Sequence, residues 1–493
     1  MGKKVLVIGS GLGALSSALR LSSLGYEVEI IEKHHRAGGR LNLLEKDGFS
    51  FDTGPSFFSM SYEFRELFQS VGEEVPFEIQ ELDPLYYVHI EGRDKPFKIY
   101  KDSKLLAKEF EGLEHNFEEK LNTYLTRAAQ VFYDTEYRIV KKNFNSILNY
   151  FLQMTKVPKK HLPLVFRSFW KELGRHFESE EVKIIFSLVA FFLGATPFNT
   201  PAVYSLLNYT ELKHDGYWNV KGGMYKIVET MLPLLGKRGV KIHYNTEIVS
   251  CGFDGNEIKY FQDSNGKQWT ADIYVSNSDA ASFRGRILGR KKFSAAKLDA
   301  MEWTLAPFTI YLGVKGKIEN LGHHNYFLGS NFRKYADTIF KSNTAPERPY
   351  YYVNVASKSN SNCAPEGHEN LFILCPVPDL RTKPDWSDAE NLKTEIIRDL
   401  GRRVGYDIQS NIVSETLYTP KDWEGMFNLY RGSGLGLAHG IKQVGGLRPA
   451  NKDEQFANLY YVGASTHPGT GLPIVVIGSG LITERIKHEH AIV

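Results

Sequence analysis

A chain of 493 residues is too long for one ordinary core, so two interleaved domains are expected. Hydrophobic residues at 42% and charged residues at 24% exclude a disordered chain, and a formal net charge of +3 is too small to argue for nucleic acid as a partner. The three cysteines, Cys251, Cys363 and Cys375, are scattered and odd in number, which excludes a disulfide framework or a zinc site and fits a reducing compartment.

Lys3 to Arg40 reads as a nucleotide-binding βαβ unit. Val5 to Ile8 is a short apolar run ending in glycine, the pattern of a strand buried on both faces of a parallel sheet. Gly9 permits a tight turn, and Gly11 has no side chain to hold a pyrophosphate off the backbone. Leu12 and Gly13 open a helix, which small Ala14 lets lie close to the strand and Gly25 stops. The helix N-terminus offers free N–H groups and a positive dipole end to an anion. The second strand, Glu27 to Ile31, delivers Glu32 to an adenosine ribose, with Lys33 beside it. Ala37-Gly38-Gly39-Arg40 then suits a diphosphate, and Gly54-Pro55-Ser56 suits close approach of backbone to a flat ring; locally, the paired glycines also fit an ordinary loop and Arg40 a solvated charge. On this series the chain resembles the flavoprotein group that includes amine oxidases, protoporphyrinogen oxidases and carotenoid desaturases.

A helix over 63–71 and strands at 86–90 and 97–100 follow, outside the nucleotide fold. From 113 to 195 glycine is nearly absent and helices are expected in succession. Two segments stand out. Residues 156–177 predict an amphipathic helix with Val165, Phe166, Phe169, Trp170 and Leu173 on one face, ringed by Lys159, Lys160, Arg167, Lys171 and Arg175. That pattern fits a membrane interface and equally a surface helix packed on the core. Residues 184–193 are apolar all round but too short to span a bilayer. Lys221-Gly222-Gly223-Met224 leads into a helix over 225–235 ended by Gly236. Strands at 240–243, 248–253 and 267–277 then return to the nucleotide domain, placing Val249 along the adenine. Strand-like runs at 309–314, 350–355 and 371–375 and a helix over 390–404 form the second half of a substrate domain. His323 and His324 have no acidic or cysteine cluster to join them, so no metal site is expected.

Leu459 to Val462 reads as a strand running through Gly463 to the turn Thr466-His467-Pro468-Gly469-Thr470-Gly471. A helix over 474–487 follows Leu472 and Pro473. Helix N–H groups at Leu472 to Val475, Ile474 among them, would stabilise negative charge on an adjacent ring; a structural glycine turn accounts for the same residues. This run, with Gly222-Gly223-Met224, Gly434 to His439 and Gln443 to Pro449, resembles carotenoid desaturases of the bacterial and fungal phytoene desaturase type over essentially the whole length. The resemblance implies an α/β fold: a Rossmann-like FAD-binding domain (1–80, 215–300 and 425–493) interleaved with a substrate domain of antiparallel sheet plus helices. The sheet of that domain takes 81–112 and 301–424, and a helical, membrane-associating region takes 113–214.

It further implies non-covalent FAD, because no cysteine lies near the C-terminal motif, an acyclic carotenoid as substrate, and oxygen or a quinone as electron acceptor. Desaturation needs only a weak proton acceptor, so no catalytic base is assigned. His467 is a candidate, although a turn-stabilising role suits it better. A 1-hydroxycarotenoid 3,4-desaturase is slightly preferred over a multi-step phytoene or diapophytoene desaturase. The alternatives are a flavin amine or porphyrinogen oxidase and a non-enzymatic isoprenoid escort of the same architecture. A first strand beginning almost at Met1 leaves no room for a signal peptide, so the expected location is cytoplasmic, peripherally associated with the inner membrane.

Overall fold

In the computed structural model, residues 2–492 are described. The strand Lys4–Ile8 lies at the centre of a five-stranded parallel sheet. Glu27–Ile31 and then Lys241–His243 flank it on one side, and Ile273–Ser276 and then Leu459–Tyr461 on the other. Four of its five residues are buried, as its unbroken apolar run requires. The helix Leu12–Ser23 packs against the helix Leu472–Glu489, so the first and last helices of this lobe share a core with Ile227, Val228 and Met231. Gly25, at φ +90°, turns the chain after the first helix. A three-stranded antiparallel sheet (Ile248–Asp254, Glu257–Asp263, Gln268–Trp269) is inserted between the third and fourth strands to form.

The second lobe is a seven-stranded mixed sheet. Ile412–Tyr418, Ala306–Lys315, His368–Val377, Tyr351–Asn354 and His324–Leu328 run antiparallel to their neighbours, then Tyr86–Ile90 joins in parallel and Phe97–Ile99 closes the edge. One face carries the helix Ala389–Val404 through Leu392, Ile396 and Leu400; the other faces the helical region between 103 and 214.

Three expectations give way. The helix predicted over 225–235 runs Lys226–Lys237, with Pro233 and Gly236 inside it; Gly239, at φ +76°, follows its end. The strand expected over 267–277 is two, Gln268–Trp269 and Ile273–Ser276, separated by an exposed turn.

The amphipathic helix expected over 156–177 does not form as one element. A short 3-10 turn, Lys159–His161, leads into Leu162–Phe166; Arg167, at ψ 140°, is extended, and a second helix runs Phe169–Leu173. The break has an electrostatic cause. Glu172 is almost fully buried, and its carboxylate is met by Arg167, by Arg127 at 3.1 Å and by His176 at 3.5 Å. Turning Arg167 inward to this carboxylate takes it off the surface ring in which a continuous helix would place it. The supposed single face is therefore divided: Phe169 and Leu173 are fully buried, while Phe166 is 74% exposed.

Burial works against the Glu172 charge, but hydrogen bonds from His176 and Arg167 and the charges of Arg127 and Arg167 outweigh it, holding the carboxyl down at about 2. A depressed folded-state value stabilises above the unfolded value, near 4.5, and that contribution is lost as pH falls from there toward 2. Glu172→Gln should therefore lower stability at pH 7 by about 2 kcal/mol, since it leaves the partly buried Arg127 and Arg167 unpaired. Denaturant titration should show the deficit shrinking as pH falls below about 4.5.

Candidate functional site

The two lobes enclose one large cavity of about 890 Å³, near the upper end of the size usual for ligand pockets. Gly9, Gly11, Leu12, Gly13, Glu32, Lys33, Gly39, Arg40, Gly54, Pro55 and Ser56 from the N-terminal series line it. Gly463, Gly471, Leu472, Pro473 and Ile474 from the C-terminal turn line it as well. The glycine turns are thus brought to a single site from residues more than 450 positions apart.

Several glycines are dictated by contact. A Cβ on Gly11 would lie 2.5 Å from the Asn277 Oδ1, and one on Gly13 would lie 2.8 Å from a Val475 methyl and 2.9 Å from the Asn277 Nδ2. A Cβ on Gly54 would lie 1.9 Å from the Arg40 carbonyl oxygen, which presses the Ala37–Arg40 turn against the Gly54-Pro55 turn. Neither the helix starting at Leu12 nor the one starting at Leu472 has a side-chain cap, so their first N–H groups remain available to a ligand. The Glu32 carboxylate is buried and oriented by the Ser10 N–H and hydroxyl (2.8 and 2.6 Å) and the His34 N–H (2.8 Å), leaving acceptor capacity toward the cavity. Arg40 donates to the Gly434 carbonyl at 2.6 Å; its enclosed setting draws its guanidinium below the ordinary value, with Asp279 opposing.

Two expected residues stand elsewhere. Ala14 is fully buried behind the cavity wall, where it lets helix and strand approach. Val249 is 46% exposed and does not line the cavity. Along the strand Ile248–Asp254 successive side chains alternate, so the buried Ile248 faces inward and Val249 outward. His467 lines the cavity, but its Nε2 donates to the Lys142 carbonyl at 2.8 Å, tying the turn to a neighbouring loop, and burial lowers its imidazole to about 4.

Other residues escape sequence reasoning. Asn277 fills the space between the glycine turns and donates to the Val462 carbonyl at 2.8 Å. Asp52 accepts the Met224 and Tyr225 N–H groups at 2.8 and 2.9 Å, which joins the turn before Gly54 to the Gly222-Gly223 turn; burial raises its carboxyl to about 6. Only the identity of Asp52 hinted at this, because its partner lies 172 residues away.

Beyond Ser56 the cavity wall becomes apolar and aromatic, with Leu188, Phe191, Leu328, Tyr335, Tyr350 and Leu374. Among the described residues its lining carboxylates, Glu32, Glu247 and Asp279, belong to segments around the glycine turns, and no cysteine lines it. Met154, Val157, Leu162 and Val165 extend the lining to the surface of the helical region. The cradle, the oriented carboxylate and the uncapped helix ends fit a dinucleotide, and the apolar arm fits a second, hydrophobic ligand.

The model of the family described as flavin containing amine oxidoreductase matches residues 15–478. A zeta-carotene-forming phytoene desaturase from Myxococcus xanthus is 32% identical over 491 residues, covering 98% of this chain and 94% of that protein. A carotenoid 3,4-desaturase from Haloarcula japonica is 28% identical over 99% of both chains. Among solved structures, a putrescine oxidase matches with a TM-score of 0.63 at 14% identity over 99% of both chains. Gly11→Val should abolish binding of FAD to apoprotein in calorimetric titration, whereas Val249→Ala, at the exposed position, should change affinity by no more than about twofold.

Proposed function

This chain belongs to the flavin-containing amine oxidoreductase family, and from that membership we propose that it is an FAD-dependent carotenoid desaturase. The observation that carries the reading is the joining of a dinucleotide cradle to a long apolar arm in one cavity, in a chain alignable end to end with a phytoene desaturase. Bound FAD supplies a hydride acceptor. Loss of hydride from an allylic carbon leaves a cation delocalised over the existing double bonds, which makes the neighbouring proton acidic. The protein's own share is orientation and exclusion of water: Leu188, Phe191 and Tyr335 hold a polyene without hydrogen bonds, and the glycine turns fix where it meets the cradle. Among the described residues the apolar arm offers no carboxylate to hold an ammonium, which speaks against an amine substrate. Among the described residues no cysteine lines the cavity, in keeping with non-covalent FAD. Oxygen or a quinone then serves as terminal electron acceptor.

The preference for 1-hydroxycarotenoid 3,4-desaturation has the Haloarcula japonica relative behind it, at lower identity than the phytoene desaturase. Desaturation of an acyclic carotenoid is therefore the level at which the reading stands.

Such substrates reside in bilayers, and the surface at the outer end of the apolar arm suits docking there. Leu148, Phe151, Leu152, Leu162 and Phe166 are all more than half exposed, with Lys156, Lys159 and Lys160 exposed among them. The docking segment thus covers 148–166 and leaves out 182–190, whose aliphatic and aromatic residues are buried in the core; no helix among the described residues is long and apolar enough to cross a membrane. Docking would be peripheral, at the cytoplasmic face of the inner membrane.

Expression in bacteria that accumulate acyclic carotenoids should produce more unsaturated pigments, resolved by chromatography; an unchanged pigment profile would refute the reading. The triple substitution Leu148→Glu, Phe151→Glu and Phe166→Glu should cut co-sedimentation with anionic vesicles by about tenfold or more. Neutralising Lys159, Lys160, Lys171 and Arg175 should weaken it further at low salt, and undiminished sedimentation in both variants would remove the docking surface.

A further inference from the structure

Ser56 and Tyr352 line the cavity where the Gly54-Pro55 turn gives way to the apolar arm, and behind them lies a histidine that the mechanism above does not use. The Ser56 Oγ is 2.9 Å from the Tyr352 Oη, which is 2.6 Å from the Nδ1 of fully buried His324. The direction of these bonds follows from Asn354. Its Nδ2 donates to the His323 carbonyl at 3.0 Å, which fixes the amide, and the same amino group points at the His324 Nδ1 at 3.4 Å. The Nδ1 is therefore an acceptor, the Tyr352 hydroxyl donates to it, and the Ser56 hydroxyl donates to Tyr352. The His324 Nε2 carries the hydrogen and has no partner among the described residues, and the Phe57 ring stacks on the imidazole at 3.9 Å.

We propose that Ser56, Tyr352 and His324 form a directed relay that takes up the proton released in desaturation. The inference rests on the desaturase reading. With bound FAD supplying the hydride acceptor, the C–H bond on the carbon next to the one that loses hydride would break and its electron pair would become the new π bond. That proton passes to the Ser56 Oγ, Ser56 hands its own to the Tyr352 Oη, and Tyr352 hands its own to the His324 Nδ1. The imidazole becomes imidazolium, and both hydroxyls end as they began.

The surroundings suit a transient acceptor. Burial, and secondarily the neighbouring His323, hold the His324 imidazole well below its ordinary range, so it is neutral before the step, and the proton it accepts returns along the same hydrogen-bonded chain to the cavity when product leaves. Burial raises the Tyr352 phenol, which therefore relays without persisting as phenolate. The ionisable groups facing His324 are Tyr352, Tyr217 and His323. Asp52 lies on the far side of a small polar void that His323, Asn354 and Ser56 also line, and Glu211 lies beyond Tyr217 and Tyr326.

The test is ¹⁵N NMR of the histidine side chains in the holoprotein, combined with single-turnover reduction of the flavin by an acyclic carotenoid in H2O and D2O. His324 should be neutral with its hydrogen on Nε2 from about pH 5 to 8. Tyr352→Phe should keep its flavin and thermal midpoint but be reduced about tenfold more slowly or worse, with a smaller solvent isotope effect than the wild type. Ser56→Ala should behave likewise and Ser56→Thr should recover most of the rate. A hydrogen on Nδ1, or a Tyr352→Phe protein with native flavin content and a native rate, overturns the relay alone. A wild-type protein that no acyclic carotenoid reduces overturns the desaturase reading and the relay's role with it.

Discussion

The close approach of the glycine turns around Asn277 is the constraint on which the rest of the molecule depends. Gly11, Gly13 and Gly463 each face the Asn277 side chain at distances that leave no room for a Cβ or little more, and Asn277 in turn holds the Val462 carbonyl. This wedge fixes the separation of the two uncapped helix ends and so sets the size of an anion that can lie between them. It also sets where the apolar arm begins. Gly54 touches the Arg40 backbone, and Asp52 ties that turn to Met224 and Tyr225, so the floor of the arm is placed by the same network that shapes the cradle.

Charge is distributed to match. Among the described residues the lining carboxylates keep to the segments around the glycine turns and aromatic side chains take over beyond Ser56, so one continuous cavity has a polar end and an apolar arm without a separating wall. The Ser56 and Tyr352 hydroxyls and the His324 Nδ1 are hydrogen-bonded to one another, which offsets the cost of burying them beside the apolar arm.

Much of the nucleotide lobe was legible in the sequence because its signals are local: an apolar run, glycines at fixed offsets and a carboxylate at the end of the next strand all lie within about thirty residues. The second turn was legible for the same reason, at Gly463 to Ile474. What escaped depends on distant partners. The break at Arg167 follows from the placement of Arg127 and Glu172 in the fold, which helical periodicity does not encode. Val249 was misplaced because a strand's facing is set by its sheet partners, and a shift of one position reverses it. His323 and His324 were weighed only as metal ligands, because the tyrosine and serine that give His324 a partner lie on other strands and turns.

The order of strands in the parallel sheet has a further consequence, for synthesis. Lys4–Ile8 is made some 270 residues before its neighbour Ile273–Ser276, and the edge strand Leu459–Tyr461 comes later still. Until then the most apolar strand of the lobe has only Glu27–Ile31 beside it and the lining of the cavity is open to water. Pairing strands so far apart in the chain is slow and leaves apolar surface open while it is incomplete.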